Sequence, residues 1–259
     1  MDIKNQLMTT VLPTPFIFYT EIPNLNTSAS EALKQANQAF QQGHNEAIEG
    51  AYRKAVQAAP SSAHLLSNLG TLLCTKGEFD EGIKLLNKAL ELDKVCTGAF
   101  YNLGTLLLNS RFFDQAQARF EQVIAIDPQH ESAFNNLGIA LINQNKLAEA
   151  QQAFEKAIEI RTDFDFALHN LGALAYEQNK LAEAITWFEK TLAINPHNHV
   201  TLNSLGCALF VNNEIEKALA TLAQSVQYSP SYRAPYFNIG AIMIASKRIT
   251  APAHSCANC

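Results

Sequence analysis

Asparagine recurs at a fixed interval along most of this chain, and its side chain is suited to binding peptide backbone. The asparagine series is Asn68, Asn102, Asn136, Asn170 and Asn238, evenly spaced except that Ser204 occupies the one intervening position. A carboxamide carries both a hydrogen-bond donor and an acceptor. A row of carboxamides could therefore hold the N–H and C=O groups of an extended peptide without requiring particular side chains.

Other chemistry has little support in the sequence. It contains no phosphate-binding glycine loop, nucleophile elbow, HExxH zinc motif or kinase signature, so we predict no enzymatic activity and no cofactor. The tail carries His254, Cys256 and Cys259, and a CxxC pair near a histidine can bind zinc or cycle as a dithiol. A single CxxC lacks the second pair of ligands that a strong zinc motif requires. These residues are only a weak metal candidate, and the alternative is a disordered tail.

Charge and composition argue against several classes of binding partner. The net charge is −5 and the isoelectric point about 5.8, which argues against nucleic acid and anionic lipid surfaces. No run approaches the ~20 apolar residues of a membrane-spanning helix. Residues 11–20 (VLPTPFIFYT) contain Pro13 and Pro15 and lack a small-residue cleavage pattern, so they make a poor signal peptide. Five scattered cysteines suit a reducing compartment, and we expect a cytoplasmic location.

A second periodic residue indicates the elements that position the asparagines. Glycine recurs at the same interval as the asparagines, at Gly70, Gly104, Gly138, Gly172, Gly206 and Gly240. In the unit that contains Gly138, the large residues Phe134, Leu137 and Leu141 share its helical face at 100° per residue. Glycine on that face lets two helices approach closely, which offsets its propensity cost of ~1 kcal/mol. The interval therefore predicts a tandem array of helical hairpins.

These features resemble the tetratricopeptide repeat (TPR), a 34-residue helix–turn–helix family. With glycine at position 8, units begin near residues 29, 63, 97, 131, 165 and 199, and a partial unit begins near 233. The resemblance implies an all-α, right-handed α-solenoid over residues 29–247, after an extended or disordered N-terminal extension (1–28) and before a tail (248–259). Lys94 and Thr162 depart from the proline expected at position 32.

The turn inside each unit falls at position 15. Glycine or asparagine occupies it at Gly77, Asn145, Asn179 and Asn213, and both residues tolerate the left-handed backbone that ends a helix. Arg111 occupies the same position in its unit and is the exception in residue type.

Positions opposite the packed face of each first helix should line a concave groove. Besides the asparagine series, they predict a peptide-binding site at His64, Tyr101, Asn135, Phe166, His169, Tyr176 and Asn203. The series is similar to the asparagines in the repeat region of O-linked N-acetylglucosamine transferases, which implies similar peptide capture. The alternative is inheritance without use, because repeat duplication copies a residue common in the family. The basic clamp of co-chaperone TPR domains is missing, which argues against acidic chaperone tails as partners.

The ends of the array need partners for their apolar residues. The final helix, near residues 234–246, presents Ile239, Ile242 and Met243 without a second helix to cover them, so self-association through this helix is possible. Residues 11–19 also need burial, and we expect another chain or the protein's own groove to cover at least one of these surfaces. The alternatives are exposed, frayed ends or a truncated longer array.

The sequence thus predicts a protein–protein interaction scaffold that binds a partner peptide or protein segment along its concave groove. Two other hypotheses stay open. In one, the chain is the substrate-selecting region of a glycosyltransferase system whose catalytic domain lies elsewhere or has been lost. In the other, it is an assembly subunit that works through its ends or convex face.

Overall fold

The computed structural model describes residues 10–250, without the side chains of Asn45 and residues 247–250. Within this range the chain forms thirteen helices and no strand. The helices are α1 (Thr27–Gln41), α2 (Asn45–Ala58), α3 (Ala63–Thr75), α4 (Phe79–Leu92), α5 (Thr97–Asn109), α6 (Phe113–Ile126), α7 (Glu131–Asn143), α8 (Leu147–Ile160), α9 (Asp165–Glu177), α10 (Leu181–Ile194), α11 (His199–Val211), α12 (Ile215–Tyr228) and α13 (Ala234–Thr250). The predicted all-α helical-repeat class is confirmed.

The helices group into two compact units. The N-terminal unit, Thr14–Ala153, packs the hairpins α1–α2, α3–α4 and α5–α6 with α7. The C-terminal unit, which begins with residues 10–13 and resumes at Phe154, packs α9–α10, α11–α12 and α13. Helix α8 contributes residues to both units. The predicted division into extension, repeat region and tail stays a prediction, and residues 251–259, with the CxxC, lie outside the described range.

The turn inside each hairpin has the predicted backbone. The φ angle is +89° at Gly77, +62° at Asn145, +63° at Asn179 and +65° at Asn213. Arg111 adopts +65° as well, so the position requires the left-handed conformation even where the residue does not favour it.

The glycines at position 8 allow the close helix contact that the sequence predicts. A Cβ atom at Gly104 would lie 2.8 Å from Phe120 Cε1, and one at Gly172 would lie 2.7 Å from Phe188 Cδ1. Both phenylalanines are fully buried, so neither ring has space to move aside. In these two repeats the phenylalanine of the second helix thus fills the space left by the glycine of the first.

Helix α13 differs from the expectation for the final helix. Ile242 is fully buried in the core of the C-terminal unit, and Ile239 packs against that core, because α11 and α12 cover this face. Met243 is about half exposed, as expected, and the apolar face left open also carries Tyr236, Phe237 and Ile244, each at least half exposed.

Candidate functional site: a peptide in an asparagine-lined groove

In the N-terminal unit, helices α3, α5 and α7 form one wall of the groove, and this surface is called the wall below. Residues 14–19, which are neither helix nor strand, lie against it. From the sequence alone, either another chain or the protein itself could cover the apolar N-terminal residues. The structure confirms the second possibility in this unit.

Each of three asparagines on this wall binds both backbone groups of one peptide residue. Asn68 accepts from the Tyr19 amide at 2.8 Å and donates to the Tyr19 carbonyl at 2.7 Å. Asn102 makes the same pair with Ile17, at 2.9 and 2.8 Å. Asn136 makes it with Thr14, at 2.8 and 3.0 Å. A residue directs its own N–H and C=O to the same side only when the backbone is extended, so these contacts require an extended segment at each of the three residues.

The position of proline in the bound segment fits this pattern. Proline has no N–H to donate, and it occurs at Pro15, between the bound residues Thr14 and Ile17. Its ring also fixes φ near the value of an extended chain, which lowers the entropy lost when the segment becomes ordered. The segment is therefore partly organised for binding before it reaches the groove.

Neighbouring side chains hold the asparagines in their binding orientation. The second Nδ2 proton of Asn102 goes to the Thr71 hydroxyl at 2.8 Å, and that hydroxyl donates to the Ser67 carbonyl at 2.7 Å. Asn136 similarly donates to the Tyr101 hydroxyl at 3.0 Å. These buried carboxamides have partners on several sides, which restricts their rotation.

Two side chains of the segment, Thr14 and Tyr19, also enter the wall. Thr14 is 6% exposed, and its Oγ1 lies 2.8 Å from Asn136 Oδ1, 3.2 Å from the Ser132 carbonyl and 3.3 Å from Asn135 Nδ2. Tyr101 donates to the Thr14 and Pro15 carbonyls, at 3.3 and 3.1 Å. Burial raises the pKa of Tyr101 to about 12, so this hydroxyl remains a donor at neutral pH.

The Tyr19 side chain binds at the start of α5. Its ring meets the His64 ring edge-on, with 4.2 Å between the centroids. Its hydroxyl accepts from the Gly98 amide at 2.8 Å and lies 3.5 Å from Thr97 Oγ1. Burial raises the pKa of Tyr19 to about 12, so the phenol stays neutral there.

Phe16 and Phe18 line an apolar cavity of about 710 Å³ instead of the asparagine wall. Phe18 packs on Phe40 and Tyr52, with centroid distances of 5.6 and 6.3 Å. The residues that line the cavity are Pro15, Phe16, Phe18, Phe40, Glu46, Ile48, Leu72, Thr75 and Lys76.

The C-terminal unit repeats the pairing once. Asn170 accepts from the Leu12 amide at 2.7 Å and donates to its carbonyl at 3.0 Å. The adjacent His169 is fully buried, with Nε2 2.6 Å from the Thr10 carbonyl and Nδ1 2.8 Å from the Thr201 hydroxyl. A carbonyl only accepts, so Nε2 carries the proton and Nδ1 accepts from Thr201. Burial lowers the pKa of His169 to about 4, which keeps the ring neutral.

The other predicted residues of the C-terminal unit have different surroundings. Asn238 donates to Asn203 Oδ1 at 2.8 Å and to Cys207 Sγ at 3.1 Å. Tyr176 is buried in the core of this unit, and Phe166 packs on Phe164 with centroids 5.7 Å apart.

The repeat pattern did not predict the contributions of Thr14, Tyr19 and Gly98. Thr14 and Tyr19 lie outside the repeats, and Gly98 occupies the same repeat position as His64 but has no side chain to suggest a role. The repeat pattern also did not predict that the metal-binding atoms of His64, Asp93 and Cys96 lie within 4.8 Å of one another. Asp93 and Cys96 form a short D-x-x-C motif that could have indicated this cluster, but His64 is distant in sequence.

None of the described helices is long and apolar enough to cross a membrane.

Comparison with known proteins agrees with the fold. Models described as tetratricopeptide repeat match residues 33–94, 101–164 and 165–198, which together are more than half of the chain. No curated protein sequence matches it. Among solved structures, pilF of Pseudomonas aeruginosa is similar with a TM-score of 0.69 and 20% identity, over 80% of this chain and 95% of that one.

A second similar structure is YrrB, described as a TPR protein with an unusual peptide-binding site. It has a TM-score of 0.55 and 22% identity, over 76% of this chain and 98% of that one. At these identities the structural likenesses show the fold alone, whereas the sequence models identify the repeats. The fold is that of a protein-interaction scaffold, and the chain belongs to the tetratricopeptide-repeat family.

Proposed function

We propose that this protein is an interaction scaffold that binds an extended peptide of a partner through backbone hydrogen bonds in the groove of its N-terminal unit. In this proposal residues 14–19 are an intramolecular occupant of the same site. The observation that carries the proposal is the paired binding of backbone N–H and C=O by Asn68, Asn102 and Asn136. The description of YrrB as having a peptide-binding site is consistent with it.

The intramolecular occupant sets the conditions for partner binding. A tethered segment acts at an effective concentration in the millimolar range, so a free peptide must compete with it. The apparent affinity for a partner is reduced by the fraction of molecules in which the groove is occupied. A test of peptide binding therefore needs a chain whose own segment is weakened and whose groove is intact.

Ile17→Pro provides such a chain, because proline removes the amide hydrogen that Asn102 accepts. A fluorescent peptide of residues 10–21 should bind this full-length variant, measured by anisotropy. Adding Asn102→Ala and Asn136→Ala removes four backbone hydrogen bonds, each contributing about 0.5–1.5 kcal/mol, and should weaken binding at least about 25-fold.

The matched control is Asn109→Ala, at an exposed position of the same helix as Asn102. It should leave the affinity unchanged, and circular dichroism should confirm that all variants keep their helices. The proposal is wrong if the peptide does not bind the Ile17→Pro chain, or if the asparagine substitutions do not reduce its affinity.

A second function, assembly through the last helix, is favoured by the open apolar face of α13. Phe237 and Ile244 are 55% and 59% exposed. Sedimentation at rising concentration should detect a dimer that Phe237→Ser with Ile244→Ser abolishes, and a wild-type chain that stays monomeric would exclude it. The glycosyltransferase hypothesis, the cytoplasmic location and the absence of enzymatic activity stay predictions.

A further inference from the structure

We infer that the groove of the N-terminal unit is sequence-selective, and that it recognises peptides with threonine or serine followed five residues later by tyrosine. This inference rests on the proposed function and names the class of partner peptide. It comes from the two segment side chains that enter the wall, Thr14 and Tyr19, while the asparagines bind the backbone around them.

The Thr14 subsite requires a hydroxyl group. Asn136 Oδ1 and the Ser132 carbonyl can only accept a hydrogen bond, whereas Asn135 Nδ2 can only donate one. A hydroxyl meets both requirements because it has one proton and two lone pairs. Valine has the same shape but neither function, so it would bury polar groups of the wall against a methyl group. Serine keeps the hydroxyl and loses only a methyl group.

The Tyr19 subsite uses the free N-terminus of a helix. The first amides of a helix have no partner within it, and an N-cap side chain normally binds one of them. Helix α3 follows this rule, since Ser62 accepts from Leu65, but Cys96 at the N-cap of α5 makes no such bond. The Tyr19 hydroxyl accepts from the Gly98 amide in its place. A phenylalanine would fill the same space and leave this amide without its acceptor.

Glycine at position 98 makes room for the tyrosine. A Cβ atom on Gly98 would lie 2.5 Å from Tyr19 Cε2 and 2.6 Å from its hydroxyl oxygen. These atoms belong to a ring already in contact with His64, so the ring and a methyl group cannot occupy the site together. The wall and the peptide residue are therefore complementary in shape as well as in hydrogen bonding.

The backbone contacts fix the distance between the two subsites. Asn136 and Asn68 bind the backbone at Thr14 and Tyr19 themselves, so inserting or deleting one residue between them would displace one of the two side chains from its subsite. Proline is excluded at the three bound positions because each donates its N–H. The recognised pattern is thus Thr or Ser, two variable residues, any residue except proline, one variable residue, and tyrosine.

The test compares four fluorescent peptides of residues 10–21 on the full-length Ile17→Pro chain. These are the natural sequence and the peptides with Thr14→Ser, Thr14→Val or Tyr19→Phe. We expect the natural and serine peptides to agree within about threefold, and the valine and phenylalanine peptides to bind about five- to tenfold more weakly.

A substitution in the groove provides the reciprocal test. Gly98→Ala in the same host should weaken the natural peptide at least about tenfold, because the added methyl group occupies the position of the ring. It should not weaken the binding of a Tyr19→Ala peptide. Alanine is a better helix former than glycine, so we expect the host to keep its helical circular dichroism.

The outcomes distinguish a failure of the sequence selectivity from a failure of the proposed function. Equal affinity of all four peptides, with binding still dependent on Asn102 and Asn136, would overturn the selectivity and leave the proposed function standing. No binding of the natural peptide would overturn both. An equal effect of Gly98→Ala on the natural and Tyr19→Ala peptides would contradict the assignment of the tyrosine subsite.

Discussion

The packing of the repeats can be tested by placing one methyl group at equivalent positions of two repeats in the C-terminal unit. Gly206 and Gly240 both occupy position 8, on α11 and α13. A Cβ atom at Gly206 would lie 2.6 Å from Leu222 Cγ and 2.9 Å from its Cδ2. Among the described residues, apart from its chain neighbours and the adjacent backbone of its own helix, no atom lies within 4 Å of a Cβ atom at Gly240. The two glycines therefore share a helical position but differ in their surroundings.

The expected change in the free energy of unfolding of each variant follows from two opposing effects. Replacing glycine by alanine inside a helix gains up to ~1 kcal/mol from propensity, and this gain is common to both sites. Overpacking against the fully buried Leu222 costs about 1–3 kcal/mol at Gly206 only. Gly240→Ala should therefore raise the free energy of unfolding by about 0.5–1 kcal/mol. The free energy of unfolding of Gly206→Ala should be about 1–3 kcal/mol lower than that of Gly240→Ala.

Urea denaturation of the full-length variants measures this difference. Trp187, the single tryptophan of the chain, lies on α10 in the C-terminal unit, so its fluorescence reports on that unit. Circular dichroism provides a second probe. A difference below about 0.5 kcal/mol between the two variants would refute the claim that the glycine at position 8 exists to admit the residue of the second helix.

Three further predictions concern the turns, a buried histidine and the groove. Arg111→Asn should stabilise the protein by up to about 1 kcal/mol in urea denaturation, since Arg111 has a φ of +65°; a loss of stability would contradict this. The lowered pKa of His169, about 4, means that the unfolded chain binds more protons between pH 6.5 and 4. Stability followed by Trp187 fluorescence should therefore fall by about 2 kcal/mol between pH 7 and 5, and a His169→Phe variant that keeps the same pH dependence would refute the assignment. Asn136→Ala removes both backbone bonds to Thr14, so exchange of the Thr14 amide should accelerate about 5- to 150-fold, and an unchanged rate would argue against the pairing.

Much of the repeat architecture could be predicted because it depends on local, repeated requirements. The spacing of Gly104 and Gly172 indicates close helix contacts, and the left-handed turn follows from the residues at position 15. The turn at Arg111 follows only from its place in the repeat, since arginine gives no signal of its own. In this case the register was more informative than the residue type.

Of the site, the sequence predicted the asparagines of the wall but not the segment that binds to them. The asparagines recur at one repeat position from Asn68 to Asn170, but the bound segment occurs once in the chain and has no periodicity. Its proline content indicates an extended chain, but the register that places Thr14 and Tyr19 in the wall depends on contacts far apart in sequence. The buried state of His169 likewise depends on the carbonyl of Thr10, 159 residues away.

Residue-resolved amide hydrogen exchange by NMR in the wild-type chain tests directly whether the groove binds the backbone of residues 14–19. The groove binds the amides of Thr14, Ile17 and Tyr19, and these amides alternate with those of Phe16 and Phe18. We expect the three bound amides to exchange at least about fivefold more slowly, relative to their intrinsic rates, than the two phenylalanine amides. Rapid exchange at all five positions, or one common rate without this alternation, would contradict it.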